Sequence, residues 1–215
     1  MKVKWLGHAC FLLISEGGLR VITDPYAVDR NLTYSPIKEA ADIVVVSHDH
    51  SDHNNIAEVR GKPEVIKGRG TKAAKGVQFR GIATYHDSSQ GRQRGANTVF
   101  CFSLEGIKLC HLGDLGHLLS QEQVKEIGVV DILFVPVGGF YTIDAAEASQ
   151  VCEQLKPKAI IPMHFRTPQC TYPIASVDDF IRNKENVKRM DSSEVEFRLE
   201  GLPTSTEVVV LKPAS

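Results

Sequence analysis

The sequence lacks three things that would each have named a class of function. No apolar run approaches the ~20 residues of a membrane-crossing helix, no C-x-x-C pair occurs, and neither sign of charge is in excess. The five cysteines, Cys10, Cys101, Cys110, Cys152 and Cys170, are odd in number and widely spaced. They do not read as a disulfide framework or a cysteine zinc site, but as reduced thiols of a cytoplasmic protein. With 25 Lys and Arg against 26 Asp and Glu, the formal net charge is −1. The cations are scattered, so the footprint of a nucleic-acid or anionic-membrane partner is missing. No repeat, low-complexity tract or Ser/Pro/Gly-rich linker divides the 215 residues, which predicts one domain over 1–215. The opening MKVKWLGHACFLLISEGG has the lysines and apolar stretch of a signal peptide, but His8 interrupts it and no small-residue cleavage site follows. Glu16-Gly17-Gly18 reads instead as a hairpin turn into LRVITD.

What the chain does have is a series of short apolar or β-branched runs: VKWL, CFLLI, LRVIT, DIVVV, GIATY, TVFCF, IKLCHL, ILFVPV, AIIPM, VEFRL and EVVVL. These predict strands. Helix starts are marked by capping residues, Ser120 with Gln123, Asp144 with Glu147, and Ser176 before VDDFIRN, with Gly128 and Pro157 as stops. Shorter helices are expected at PIKEAAD and NNIAEVR. Such a pattern predicts an α/β protein with two packed sheets and helices outside; periodicity alone leaves a single-sheet α/β layout open.

Polar residues fall where strands stop. LRVIT ends at Asp24, IVVVS at His48, IATY at His86, IKLCHLG at Asp114 and AIIPM at His164. Strands that run the same way bring such ends to one rim. At residues 48–53 the run HDHSDH crowds His48, His50, Asp52 and His53 together. His48 and His50, two apart in an extended segment, point to one side, while Asp52 and His53 face elsewhere. One metal cannot use all four comfortably. Two can, with His86 completing one set, His164 the other, and Asp114 between them; imidazole and carboxylate suit zinc, and also manganese or iron. A structural zinc site would close with cysteine-rich ligands, and no cysteine neighbours the run.

The ordered pattern resembles the metallo-β-lactamase superfamily. Its H-x-H-x-D-H motif stands as His48, His50, Asp52 and His53, its upstream aspartate as Asp24, and its later ligands as His86, Asp114 in the GD pair, and His164. WLGHACFLL, TDPY and HLGDLGH look most like the branch that includes ascorbate-6-phosphate lactonase. The resemblance implies an αββα sandwich of two mixed β-sheets flanked by helices, with the metals at the sheet edge. The expected activity is a dinuclear metal-dependent hydrolase that uses a metal-bridging hydroxide on a small anionic ester, lactone or phosphodiester.

Asp52 is expected to be catalytic, orienting the water and carrying its proton. Asp24 is expected to fix the tautomer of a ligand histidine. Substrate contacts are expected from Arg92, Arg94 and Asn97 in the polar loop after His86, and from Arg166 with Tyr172 after His164. His8 either lines the site or caps a core hydrogen bond. The GGFYT stretch at 138–142 would complete the wall. His111 and His117 are placed outside the metal set. Two other readings stay open: an iron-dependent oxidoreductase or dioxygenase on the same fold, and a non-catalytic metal-containing binding module. The partner expected is a small-molecule substrate, and assembly into a homo-oligomer is left open.

Overall fold

The computed structural model describes residues 1–214. The short apolar runs become strands, in order β1 (Lys2–Gly7), β2 (Cys10–Ile14), β3 (Arg20–Thr23), β4 (Ile43–Val46), β5 (Glu64–Lys67), β6 (Gly70–Ala74), β7 (Val77–Tyr85), β8 (Ala96–Leu104) and β9 (Ile107–His111). Helices then alternate with strands: α1 (Gln121–Ile127), β10 (Ile132–Pro136), α2 (Ala145–Leu155), β11 (Ala159–Met163), α3 (Val177–Ile181), β12 (Val187–Arg189), β13 (Glu194–Glu196) and β14 (Glu207–Val210). Ser120 and Asp144 form the expected capping boxes at α1 and α2, and Ser176 caps α3. None of the described helices is long and apolar enough to cross a membrane.

Two sheets form, in the orders β13-β1-β2-β3-β4-β5 and β12-β14-β11-β10-β9-β8-β7-β6. Both are mixed: the smaller is parallel only across β3, β4 and β5, and the larger turns antiparallel from β9 to β6. This is the expected sandwich. Strand alternation sets its core. Val3, Trp5, Phe11, Leu13, Val21, Ile43 and Val45 face inward and share one cluster with Phe79, Phe100, Leu109 and Phe134 of the larger sheet. Each such buried side chain contributes about 1.5–3 kcal/mol of transfer free energy.

The helices gather at the larger sheet, α1 against β7, α2 against β10, and α3 against α2. Leu12, Ile22, Val44 and Val46 on the other face of the smaller sheet are covered differently, by Tyr26, Leu32, Tyr34, Ile37 and Ala41, with Cys170 and Ile174 from a later segment. Here the structure corrects two expectations. PIKEAAD is not helical, although Ile37, Ala40 and Ala41 have helical spacing. Its backbone is held in an extended path, Asp42 N–H donating to Arg20 O, Ala41 N–H to Arg60 O, and Arg60 N–H to Glu39 O. NNIAEVR yields one turn of 3-10 helix, Ile56–Glu58, before Val59 turns extended.

The topology places the site. β1 and β3 are both antiparallel to β2, and β4 is parallel to β3. β7 and β9 are both antiparallel to β8, and β10 and β11 continue the sense of β9. The C-terminal ends of β1, β3 and β4 therefore share one edge of their sheet, and those of β7, β9 and β11 share one edge of the other.

Candidate metal centre

Each of these six strands releases a polar side chain at its end: His8 after β1, Asp24 after β3, His48 after β4, His86 after β7, Asp114 beyond β9 and His164 after β11. His8, Asp24 and His164 have positive φ, 53°, 38° and 51°, a left-handed turn that stops the strand. Gly7 and Gly113 allow close approaches of backbone to neighbouring side chains. A Cβ on Gly7 would meet the Tyr34 ring at 2.7 Å, and one on Gly113 would meet Asn97 Oδ1 at 2.4 Å and Ser47 Cβ at 2.5 Å.

The side chains converge on Asp114. Its Oδ2 lies 3.0 Å from His86 Nε2, 3.2 Å from His53 Nε2, 3.4 Å from His164 Nε2 and 3.9 Å from His48 Nε2. His48 Nε2 is 3.1 Å from His50 Nδ1. Asp52 Oδ2 is 3.2 Å from His8 Nε2 and 3.6 Å from His53 Nε2. Three sets of potential ligand atoms result, each within 4.8 Å: His48 with His50 and His86, and His8 with Asp52, His53 and His164, flank Asp114, while Asp24 with His48 and His53 lies behind them. Ligands at about 2.0–2.2 Å from a tetrahedral ion stand about 3.3–3.6 Å apart. The observed spacings cluster about that edge length, so the donor sets fit metal ions.

Hydrogen bonds orient the rings. Asp24 Oδ2 accepts from His53 Nδ1 at 2.9 Å and from the Ser47 hydroxyl at 2.6 Å, and Asp24 Oδ1 accepts the Ser47 amide at 2.7 Å. With its proton directed at Asp24, Ser47 Oγ accepts from His48 Nδ1 at 2.9 Å. His86 Nδ1 donates to the Tyr141 carbonyl at 3.0 Å. This network assigns the proton to Nδ1 in His48, His53 and His86 and leaves each Nε2 with a lone pair toward Asp114, the arrangement a metal ligand needs. His53 Nε2 and Asp114 Oδ1 are buried without a hydrogen-bond partner, as atoms reserved for a cation would be.

The electrostatics point the same way. Burial disfavours charge on His53, yet Asp114 and Asp52 hold its pKa well above the usual imidazole value. Burial would raise the Asp114 carboxyl, and His164 and His53 pull it well below its usual range. His48 is pushed down to about 3, first by burial and then by His53. The centre thus favours positive charge among its carboxylates, which a cation supplies without protonating the ligands.

A cavity of about 270 Å³ opens over His50, Asp52, His86, Asp114 and His164. Arg94, Tyr141 and Tyr172 also line it, and the Arg94 guanidinium lies 5.5 Å from the Tyr141 ring centroid. Larger cavities of about 390 and 570 Å³ elsewhere hold no comparable set of ligand atoms.

The other residues expected near substrate have these positions. Arg92 and Arg166 stand exposed and do not line this cavity, since their loop positions turn them to solvent. Asn97 is buried and faces the protein, donating to Leu112 O and Thr84 Oγ1 and accepting the Asp114 amide at 3.0 Å. It holds the Asp114 turn. His8 is fully buried against Asp52 and His164, 4.1 Å between the His8 and His164 ring centroids, so it lies inside the cluster. His111 and His117 remain outside: His111 bonds Ala9 O and the Gly113 amide, and His117 accepts the Tyr85 amide.

Two residues escaped the sequence reading. Ser47, the relay between Asp24 and His48, carries no mark beyond preceding the motif. Asp87 is buried and accepts five hydrogen bonds, from the amides of Ser89, Gly91, Gln93 and Arg94 and the Ser89 hydroxyl. The Asp-Ser-Ser-x-Gly pattern at 87–91 was its available signal, being that of a side-chain-closed turn.

A model of the beta-lactamase superfamily domain matches residues 2–164. The chain belongs to the metallo-beta-lactamase superfamily. Within it, a UPF0173 metal-dependent hydrolase of Carboxydothermus hydrogenoformans is 32% identical over 83% of this chain and 88% of its own. Another, from Archaeoglobus fulgidus, is 29% identical over 99% of this chain and 96% of its own. These relatives place this metallo-beta-lactamase-fold chain in the UPF0173 metal-dependent hydrolase family. The crystal structure of a Thermotoga maritima protein, named as a candidate Zn-dependent hydrolase of the same superfamily, superposes with a TM-score of 0.82 at 41% identity, covering 99% of both chains.

Proposed function

We propose that the protein is a dinuclear metal-dependent hydrolase of a small anionic ester, lactone or phosphodiester, of the type found in the ascorbate-6-phosphate-lactonase-like branch. The observation that carries this reading is the single oxygen Asp114 Oδ2 within 3.0–3.9 Å of four imidazole nitrogens. His48, His50 and His86 would hold one ion, Asp52, His53 and His164 the other, and Asp114 both. Zinc suits these donors best, with manganese or iron as alternatives. The two cations would supply Lewis acidity and a water of near-neutral pKa.

The rest falls to the chain. Asp52, partly exposed at the cavity with its Oδ2 held by His8 at 3.2 Å, accepts the proton of the attacking water and passes it to the leaving oxygen. Asp24 and Ser47 keep His53 and His48 in the tautomer that presents Nε2. Arg94 offers its planar fork to an anionic substrate group, and Asp87 holds the backbone that presents it. Tyr141 and Tyr172, ring centroids 5.7 Å apart, narrow the water's access.

Elemental mass spectrometry on wild type and Asp114→Ala, beside turnover of a lactone and phosphodiester panel with each metal restored, tests the reading. About two equivalents in wild type, a clear loss in the variant and metal-dependent turnover support it. At most one equivalent, unchanged by the substitution, would overturn the two-ion assignment, and stoichiometric redox-active iron without hydrolysis would favour the oxygenase.

A further inference from the structure

Away from the metal centre, β8 and β9 bring two thiols face to face. The strands are joined by the two-residue turn Glu105-Gly106, whose φ angles of 55° and 80° are those of a tight hairpin. Leu104 pairs with Ile107, Ser103 with Lys108, Phe102 with Leu109, and Cys101 with Cys110. In such a hairpin the pair closing the turn exchanges both backbone hydrogen bonds, and pairs alternate from there. Counting back from Leu104 and Ile107, Cys101 and Cys110 fall on a non-hydrogen-bonded pair. Opposed Cα atoms there stand about 4.5 Å apart with side chains on the same face, at the short end of the roughly 4.4–6.8 Å that a disulfide spans.

The surroundings differ for the two sulfurs. Cys101 is half-buried and lines the cavity of about 390 Å³, while Cys110 is buried. Arg80, paired with Cys101 across β7 and β8, and Lys108, two positions before Cys110, line the same cavity. Burial, and after it the neighbouring Cys101, push the Cys110 thiol well above its usual range.

We infer that Cys101 and Cys110 are a redox-active dithiol that exchanges with a small anionic disulfide docked in the Arg80–Lys108 cavity. The Cys101 thiolate attacks one sulfur of the small disulfide, which leaves one thiol and a mixed disulfide on Cys101. Cys110 then attacks Cys101 Sγ, its proton going to the departing second thiolate. One small-molecule S–S bond and two protein S–H bonds become one protein S–S bond and two small-molecule S–H bonds; two electrons pass from the cysteines to the disulfide. The cross-link would join the two strands that carry Asn97 and lead to Asp114, the pair bonded at 3.0 Å.

The test uses the full chain, reduced and then incubated with oxidised glutathione, or with cystamine as a cationic counterpart, and digested with trypsin without reduction. Cleavage after Lys108 separates the two cysteines, so a disulfide appears as one linked peptide pair. The expected result is linkage in wild type, a glutathione adduct that persists on Cys101 in Cys110→Ala, and an unmodified Cys110 in Cys101→Ser. Arg80→Gln should slow reaction with oxidised glutathione by about threefold or more and leave cystamine unslowed. A lasting glutathione adduct on wild-type Cys101 with Cys110 free, or no reaction at either thiol, overturns the proposal; the wild-type map decides this even where a variant fails to fold.

Discussion

The two sets of ligand atoms on either side of Asp114 are built unlike each other. His8, His53 and His164 are fully buried, Asp24 fixes the His53 ring, and the His164 amide donates to the His8 carbonyl at 3.2 Å. On the other side His48 and His86 are anchored by Ser47 and the Tyr141 carbonyl, but His50 is exposed, and among the described residues its ring bonds only His48. In the proposed centre the first set is ordered before an ion arrives, whereas the second must still order His50. Preorganisation favours tighter binding, so the His48–His50–His86 side should release its ion first.

Four measurements would break or sharpen this contrast. The largest effect is expected from Asp52→Asn, which removes the proton acceptor from the closed set; turnover should fall about 10²–10⁴-fold, read as kcat with metal content followed in parallel, and full activity in the variant would exclude Asp52 from the chemistry. Next, Asp24→Asn should weaken both ions about 10–100-fold because Asp24 serves His53 directly and His48 through Ser47. Ser47→Ala should weaken only the open side, and competition titration with a chelator resolves the two affinities. His50→Ala should lower the metal content by one equivalent while leaving metal-free stability within about 0.5 kcal/mol, as for an exposed side chain; equal loss from both sides would erase the contrast.

The smallest effect concerns the loop that carries Arg94. Ser89 and the amides of Arg94 and Gln93 hold the Asp87 carboxyl well below its usual range. Since the folded value is depressed, the stability it contributes is present above the unfolded carboxylate value of about 3.9 and is lost as pH falls from there toward the folded value. The melting difference between wild type and Asp87→Asn should accordingly be steady from neutral pH to about 5 and shrink below about 4. A difference constant down to pH 2 would show that the carboxylate's charge is immaterial.

The sequence revealed β4, β10 and β11 because they are buried on both faces and read as unbroken apolar runs. It hid β5, β6 and β12, three of the four edge strands, since exposed residues such as Glu64, Thr71 and Lys188 carry no such signal. The cluster itself was legible from residue types at strand ends, because topology converts those ends into neighbours. Asn97, which opens β8, and Arg92 in the loop before it were not, since whether a side chain there turns inward depends on hydrogen bonds to distant carbonyls and amides. PIKEAAD misled for the same reason: local spacing suggested a helix, and backbone bonds to Arg20 and Arg60 overrode it.

The left-handed turns at His8, Asp24 and His164 bear on whether this centre can be transplanted. Each position departs from the conformations an ordinary side chain prefers, by roughly 1–2 kcal/mol, and each departure throws a side chain back over the rim instead of along the strand. Copying the eight or so polar side chains onto another sandwich with ordinary strand ends would reproduce the inventory and miss the convergence. The transferable unit is therefore a set of bent backbone termini with their supporting carboxylate and amides, and a search for relatives of the site by residue spacing alone would pass over scaffolds that present the same convergence from a different order of strands.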